Sequence, residues 1–395
     1  MRILVITQKS PFPAIDGGSV AFLNGLACLS EVADYVQLLS FNTSSKKDLK
    51  AEWPLWLKEK YHADCISINT SHSVFKFVKS IFSTYAYILY RFIDKKVVRK
   101  IDDIVEQNQI DCVIFESIYT GVYIDFIKNK TIKTILKVHN VEHLIWLDLI
   151  QRMPPLKKIA IRLATFKLKQ NEIDQSKKHH QTVAFSNIDA QFFEPYAKSI
   201  QVSGLQSPLT DAAINELKPI DHQTFFHLAA MDWLPNVEAL DWLLNEVWPL
   251  VKIKSETTQL YLAGKNMPDR FRSLENKGIY VKEAKVAAHF IQENGVMLVP
   301  LFSGSGIRVK IIEGMSLGRC IICTSKALLG IEAEAGKHIL VADDAENFAK
   351  KMVDCFQNQT MVNQIGNSAA IFAREHFSKK QIELEWKTLL DNLNN

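Results

Sequence analysis

A chain of 395 residues is longer than one hydrophobic core usually serves, so two domains of roughly 200 residues each are expected. With 47% hydrophobic and 23% charged residues, and only 15 Gly and 12 Pro, the composition excludes a disordered or collagen-like chain. The net charge of +4 hides 27 Lys/Arg against 20 Asp/Glu in residues 1–200 and 20 against 23 in residues 201–395, a basic first half that suits anionic substrates or lipid and is too weakly charged for a nucleic-acid partner.

Taken in chain order, β-rich runs at 3–7, 35–41, 65–69, 112–116, 132–138 and 182–185 alternate with helical stretches, among them 20–30 and a long helical region before residue 112. The pattern repeats with runs at 225–231, 260–264, 279–281, 296–300, 320–324 and 338–341. Alternation of this kind predicts parallel sheets covered by helices on both faces, hence two doubly wound α/β domains. Gly204, Pro208 and Pro219 mark a connector between them. The predicted domains are 1–204 and 205–378, followed at 379–395 by a helix with apolar Ile382, Leu384, Trp386, Leu389 and Leu390.

No apolar run reaches the ~18 residues of a membrane span, and the first strand pattern begins without a signal-peptide core. Six scattered cysteines suit a reducing compartment, so a cytoplasmic protein, soluble or peripheral at the inner membrane face, is expected. Cys320 and Cys323 are spaced as C-x-x-C, but a strand through Ile321 and Ile322 turns them to opposite faces, which disfavours a metal or redox pair.

The segment PLFSGSGIRVKIIEGMSLG at 300–318 carries the most chemistry. Gly304 and Gly306 allow a tight turn and close ligand approach, and the helix that follows offers N–H groups and a dipole suited to phosphate. Arg308 and Lys310 oppose that dipole unless an anion is bound. The bland alternative is two solvated cations, with Lys310 paired to Glu313 at i, i+3. Residues 232–238 read equally as a helix start with Pro235 in its first turn.

The run from Gly304 to Gly318 resembles family 4 retaining glycosyltransferases of the GT-B fold, many of which have Gly-Ser-Gly-x-Arg-x-Lys-x-x-Glu-x-Met-x-x-Gly. Residues 231–240, 260–264 and 329–332 match other pieces in the expected order, so the resemblance spans nearly the whole chain. It implies two Rossmann-like domains facing across a cleft, a terminal helix returning toward the first domain, and transfer of a hexosyl group from a nucleoside-diphosphate sugar to a hydroxyl acceptor, a glycan or lipid-linked saccharide. It further implies that Glu313 holds the ribose hydroxyls, that Arg308 and Lys310 neutralise the diphosphate, and that neither a cofactor nor a divalent metal is required.

In the first half, Gly17 and Gly18 look like the family's glycine loop, and His139, in KVHNVE at 137–142, stands where a His contacts the donor sugar. Gly-Gly is not the G-x-G-x-x-G fingerprint, which disfavours a nicotinamide enzyme. Asn140 and Glu142 are alternatively N-caps of the next helix. Ser305 occupies a position where the family often has a second Glu, so backbone N–H groups of Ser305 and Gly306 are expected to meet the sugar instead.

Residues 74–100 hold seven Lys/Arg and a single acid, Asp94, among many apolar side chains, and 156–169 hold five Lys/Arg and no acid. Each reads as a lipid-facing segment or as a helix with a solvated basic face. Activity in cell-surface polysaccharide or glycolipid synthesis is expected. A catalytically silent subunit and a sugar-nucleotide epimerase are the alternatives, the latter distinguished by turnover without acceptor.

Overall fold

The computed structural model describes residues 1–395 except 15–16, 44–49, 51, 151–154, 204–206, 208–218, 273, 275–277, 285, 305 and 395. Contacts divide the chain into two units, Met1–Leu205 with Ile382–Asn395, and Gln206–Gln381.

In the first unit, strands β1 (Arg2–Thr7), β2 (Tyr35–Asn42), β3 (Asp64–Ser67), β4 (Cys112–Phe115), β5 (Lys133–Val138), β6 (Gln181–Ala184) and β7 (Ile200–Val202) form a sheet in the order β3-β2-β1-β4-β5-β6-β7. All pairings are parallel. Along β1, Ile3 and Val5 enter one apolar layer while Leu4 and Ile6 enter the other. Burial on both faces is why RILVIT reads as a continuous apolar run rather than an alternation. β7 was not anticipated: its three residues are half-buried and open what the sequence presents as a polar connector.

The helical region before β4 is broken into Val74–Ile81, Tyr87–Tyr90 and Lys95–Gln107. Ser73 and Asp94 account for two of the starts, their side chains accepting from the N–H groups of Lys76 and Lys96. The final helix, Lys379–Asn394, buries Ile382, Trp386, Leu389 and Leu390 in the layer that holds Ile3 and Val5. Each such side chain contributes about 1.5–3 kcal/mol. Leu384, expected on that apolar face, is exposed instead, because two residues on from Ile382 the helix has turned it to the opposite side.

The second unit contains β8 (Thr224–Leu228), β9 (Gln259–Ala263), β10 (Ile279–Lys282), β11 (Val296–Val299), β12 (Ile321–Cys323) and β13 (Leu340–Val341) in the order β10-β9-β8-β11-β12-β13, again parallel. Phe225, Leu260, Leu298 and Ile322 build its core against the helices Leu234–Trp242 and Ala345–Gln357, among others. Cys320 and Cys323 are buried free thiols. Each sheet reverses its winding once, between β1 and β4 and between β8 and β11. Ligands of open α/β sheets usually lie at such a switch point, beyond the carboxyl ends of the two strands.

Candidate functional site

At the β1/β4 switch point lies a cavity of about 200 Å3, lined by Thr7, Gln8 and Lys9 after β1, Gly18 and Ser19 at the start of helix Gly17–Val32, Glu116, Ser117 and Ile118 after β4, and His139, Asn140 and Glu142 after β5. The second glycine of the pair therefore borders the same space as His139, while Gly17 begins the helix. Glu116, the last residue of the β-rich run at 112–116, organises this wall. Its Oε1 accepts from Lys137 Nζ at 2.6 Å, and its Oε2 lies 3.2 Å from His139 Nε2.

Burial alone would raise the Glu116 pKa, but the charge of Lys137 and the bond from His139 outweigh it and hold the carboxyl below the ordinary glutamate value. An ionised carboxylate only accepts, so the Nε2 facing it carries a proton, and Nδ1 has no hydrogen-bond partner among the described residues. The ring is braced by Phe185, edge-on at 4.8 Å between centroids. Lys137 Nζ sits 5.4 Å from the rings of both Phe185 and Trp386, a desolvated ammonium with two aromatic faces and one carboxylate.

Neither Asn140 nor Glu142 supplies the cap expected at the following helix, Glu142–Ile150. The carboxylate of Glu172, buried in helix Pro155–Lys178, takes that role, accepting from the N–H of Glu142 at 2.6 Å and of His143 at 3.4 Å, with His143 Nδ1 2.6 Å away. Glu142 instead turns its side chain to Tyr119, whose hydroxyl donates to Oε2 at 3.2 Å. Burial, with the repulsion of Glu172, pushes the Glu142 carboxyl up to about 7.

At the β8/β11 switch point, Gly304, Gly306, Arg308, Lys310 and Glu313 share one strand-to-helix turn that enters helix Val309–Ser316. Ser305 lies outside the described residues. Gly304 has φ +92°, and a Cβ there would fall 2.7 Å from the Trp233 ring, so both backbone and space require glycine. Gly306 has φ +80°. Gly314 brings the helix onto the sheet, since a Cβ would meet Met297 Sδ at 2.8 Å and Ile321 Cδ1 at 3.1 Å. Arg308, the N-cap residue of this helix, makes no side-chain cap hydrogen bond to its first turn.

The solvated-cation alternative fails for both basic residues. Arg308 is buried, its guanidinium 5.5 Å from the Trp233 ring centroid and Nη2 donating to the Ser303 carbonyl at 3.4 Å. Lys310 does not pair with Glu313. It donates to the Leu228 carbonyl at 3.2 Å and to Asn236 Oδ1 at 3.3 Å, while the Asn236 amide donates to the Ala230 carbonyl at 2.7 Å. Asn236 thus ties the end of β8 to the 300–310 turn, a role that helix-start signals in LPN at 234–236 do not reveal. The helix Leu234–Trp242 begins after Trp233 with Pro235 in its first turn, as the sequence suggests.

Among the described residues Lys310 therefore holds neutral oxygens only, and burial followed by the charge of Arg308 pulls it down to about 7. Burial pushes Glu313 up to about 7, and among the described residues nothing hydrogen-bonds its carboxylate. The folded chain holds Glu313's proton more tightly than the unfolded one between 4.5 and 7, so stability falls as pH rises through that window. For Lys310 the unfolded chain holds the proton more tightly between 7 and 10.5, so stability recovers there. The combined penalty peaks near pH 7. In thermal melts, the stabilisation of Glu313→Gln/Lys310→Met relative to the parent is expected to be largest near neutrality, and a difference flat across pH contradicts the assignment.

Residues 222–358 match the sequence model of the family Glycosyl transferases group 1. Over 96% of this chain and 97% of its own length, an uncharacterized 44.6 kDa protein in the cps region of Klebsiella pneumoniae is 21% identical. Among solved structures, sucrose-phosphate synthase from Thermosynechococcus elongatus superposes with a TM-score of 0.69 at 13% identity, covering 100% of this chain and 99% of that one. HepE from Anabaena, solved in complex with UDP-glucose, gives 0.63 at 12% identity over 99% and 100%. The two Rossmann-like units thus share the GT-B fold of glycosyltransferases, and the family match falls on the unit that holds the Gly304–Glu313 turn.

Proposed function

We propose that this chain is a retaining glycosyltransferase that moves a hexosyl group from a nucleoside-diphosphate sugar to a hydroxyl acceptor, in the synthesis of a cell-surface polysaccharide or glycolipid. The observation that carries the reading is the electrostatic incompleteness of the 304–313 turn. A desolvated Lys310 with no carboxylate on it among the described residues, beside Arg308 and a helix start whose N-cap side chain makes no cap bond, is satisfied by a diphosphate. A desolvated Glu313 without a donor is satisfied by two ribose hydroxyls. Diphosphate and ribose are adjacent in one molecule, a nucleoside-diphosphate sugar. The cps-region relative and the UDP-glucose held by HepE point the same way.

In the proposed reaction the bond from the sugar's anomeric carbon to the diphosphate oxygen breaks, and the acceptor oxygen attacks from the same face. The acceptor's proton passes to the departing phosphate. Charge developing on that phosphate meets Arg308, Lys310 and the N–H groups of the helix start, which are fixed in place beforehand, the arrangement that stabilises a transition state most. His139, with its Nδ1 lone pair, accepts a hydroxyl of sugar or acceptor.

A screen of nucleoside-diphosphate sugars by thermal unfolding tests the donor half. The right donor at 100-fold its Kd is expected to add about 2.7 kcal/mol of stability. Anomeric proton signals of the product are expected to keep the donor's configuration. Inversion, or stabilisation by no nucleotide, contradicts the reading.

A further inference from the structure

We propose that helix Val74–Ile81, with the outward face of helix Pro155–Lys178, is a docking surface for an anionic lipid bilayer. Helix Val74–Ile81 is mounted with its apolar side outward. Its buried residue is Ser80, whereas Phe75 is 68% exposed and Phe82, just past its end, 88%. Spacing of three and seven residues puts Phe75, Val78 and Phe82 on one face, with Ile81 at its edge. A core helix would bury these rings.

The outward mounting is held by polar bonds on the other side. The Ser73 N–H donates to the Tyr87 hydroxyl at 2.9 Å, and Lys167 Nζ donates to the Ser80 carbonyl at 2.6 Å. The second bond joins the two helices. Leu163, 70% exposed, and Phe166 lie within a turn of Lys167 and extend the apolar surface beyond Ile81 and Phe82.

Cations border these side chains. The exposed Lys79 holds its Nζ over the Phe75 ring, 4.2 Å from the centroid, so that charge and ring reach the surface together, and exposed Arg162 adjoins Leu163. Asp94 is the one acid in residues 74–100, and 156–169 have none. The charge complements an anionic leaflet. A protein partner fits less well, since lysine is depleted from the centres of protein interfaces while lysine among bulky apolar side chains is the composition of interfacial helices.

The test is cosedimentation of the full chain with vesicles of phosphatidylcholine alone and of phosphatidylcholine with phosphatidylglycerol, with neither donor nor acceptor present, so its outcome is independent of the proposed reaction. The parent is expected to bind the anionic vesicles and leave the neutral ones largely in solution. Phe75→Ser/Phe82→Ser is expected to lower the partition about tenfold, and Lys79→Gln/Arg162→Gln by a similar factor on anionic vesicles only. Melting temperatures are expected to stay unchanged, because all four side chains are exposed or solvated. Absence of binding by the parent overturns the proposal, as does equal binding by the phenylalanine variant. So does a parent that is dimeric in solution and dissociates on the same substitutions, which would give the face to a second copy.

Discussion

Replacing Glu313 by alanine is expected to lower kcat/KM for the nucleoside-diphosphate sugar by about 10²–10³, the loss of two hydrogen bonds to a charged acceptor at about 1.5–3 kcal/mol each, partly offset by water. The same change is expected to leave the melting temperature at neutral pH equal or higher. Burial holds the Glu313 carboxyl at about 7, so removing it relieves a desolvation penalty and breaks no hydrogen bond or ion pair among the described residues. Glu313→Gln keeps one accepting oxygen without the charge and is expected to fall between the two. A parallel loss of activity and stability would mean that the side chain props the helix Val309–Ser316 rather than waiting for ribose. Activity and thermal melts on the same preparations separate the cases.

That opposition between stability and function runs through the whole turn. Gly304 gives up side-chain packing to reach φ +92° beneath Trp233, and Arg308 and Lys310 are brought out of water next to one another at a helix start that repels both. Each choice lowers the stability of the ligand-free chain, and a diphosphate reverses the cost of the two cations. Composition, which sums over the chain, registers none of this. The local string GSGIRVKIIE does, because turn, cations and carboxylate are all contributed by ten consecutive residues.

The legibility of the rest followed the same division between local and distant. Runs such as RILVIT and VMLV are strands buried on both faces and announce themselves. IQV at 200–202 is an edge strand with no buried residue, and nothing in its composition separates it from the connector that follows. Leu384 is apolar yet off the buried face, since from Ile382 the residues Trp386, Leu389 and Leu390 recur at four, seven and eight and Leu384 at two. Asn236, Glu116 and Glu172 were invisible because their partners lie 74, 21 and 30 residues away in sequence. A signal did exist for Glu116: an acid ending the strand beside the first one sits at the switch point, where a doubly wound sheet places its ligand.

Glu116 is accordingly the residue whose loss is expected to cost most in the first unit. Glu116→Ala leaves Lys137 buried without a carboxylate and is expected to destabilise the fold by about 3–5 kcal/mol, visible as a lower melting temperature of the chain. Because its folded pKa is depressed, the contribution of the pair stands above the ordinary value of 4.5 and fades as pH falls below it, so parent and variant melts should converge in acid. Glu116→Gln/Lys137→Met removes charge and counter-charge together and is expected to restore most of the stability while His139 loses its ionised anchor. If His139 works through Nδ1, freeing Nε2 lets the imidazole rotate and change tautomer, and a displacement of 1 Å at such a group is enough for about 10²-fold in rate. The stable double variant is therefore expected to bind donor like the parent and to turn over about 10²-fold more slowly. Full activity in that variant would reduce Glu116 and Lys137 to a structural pair and remove His139 from the reaction.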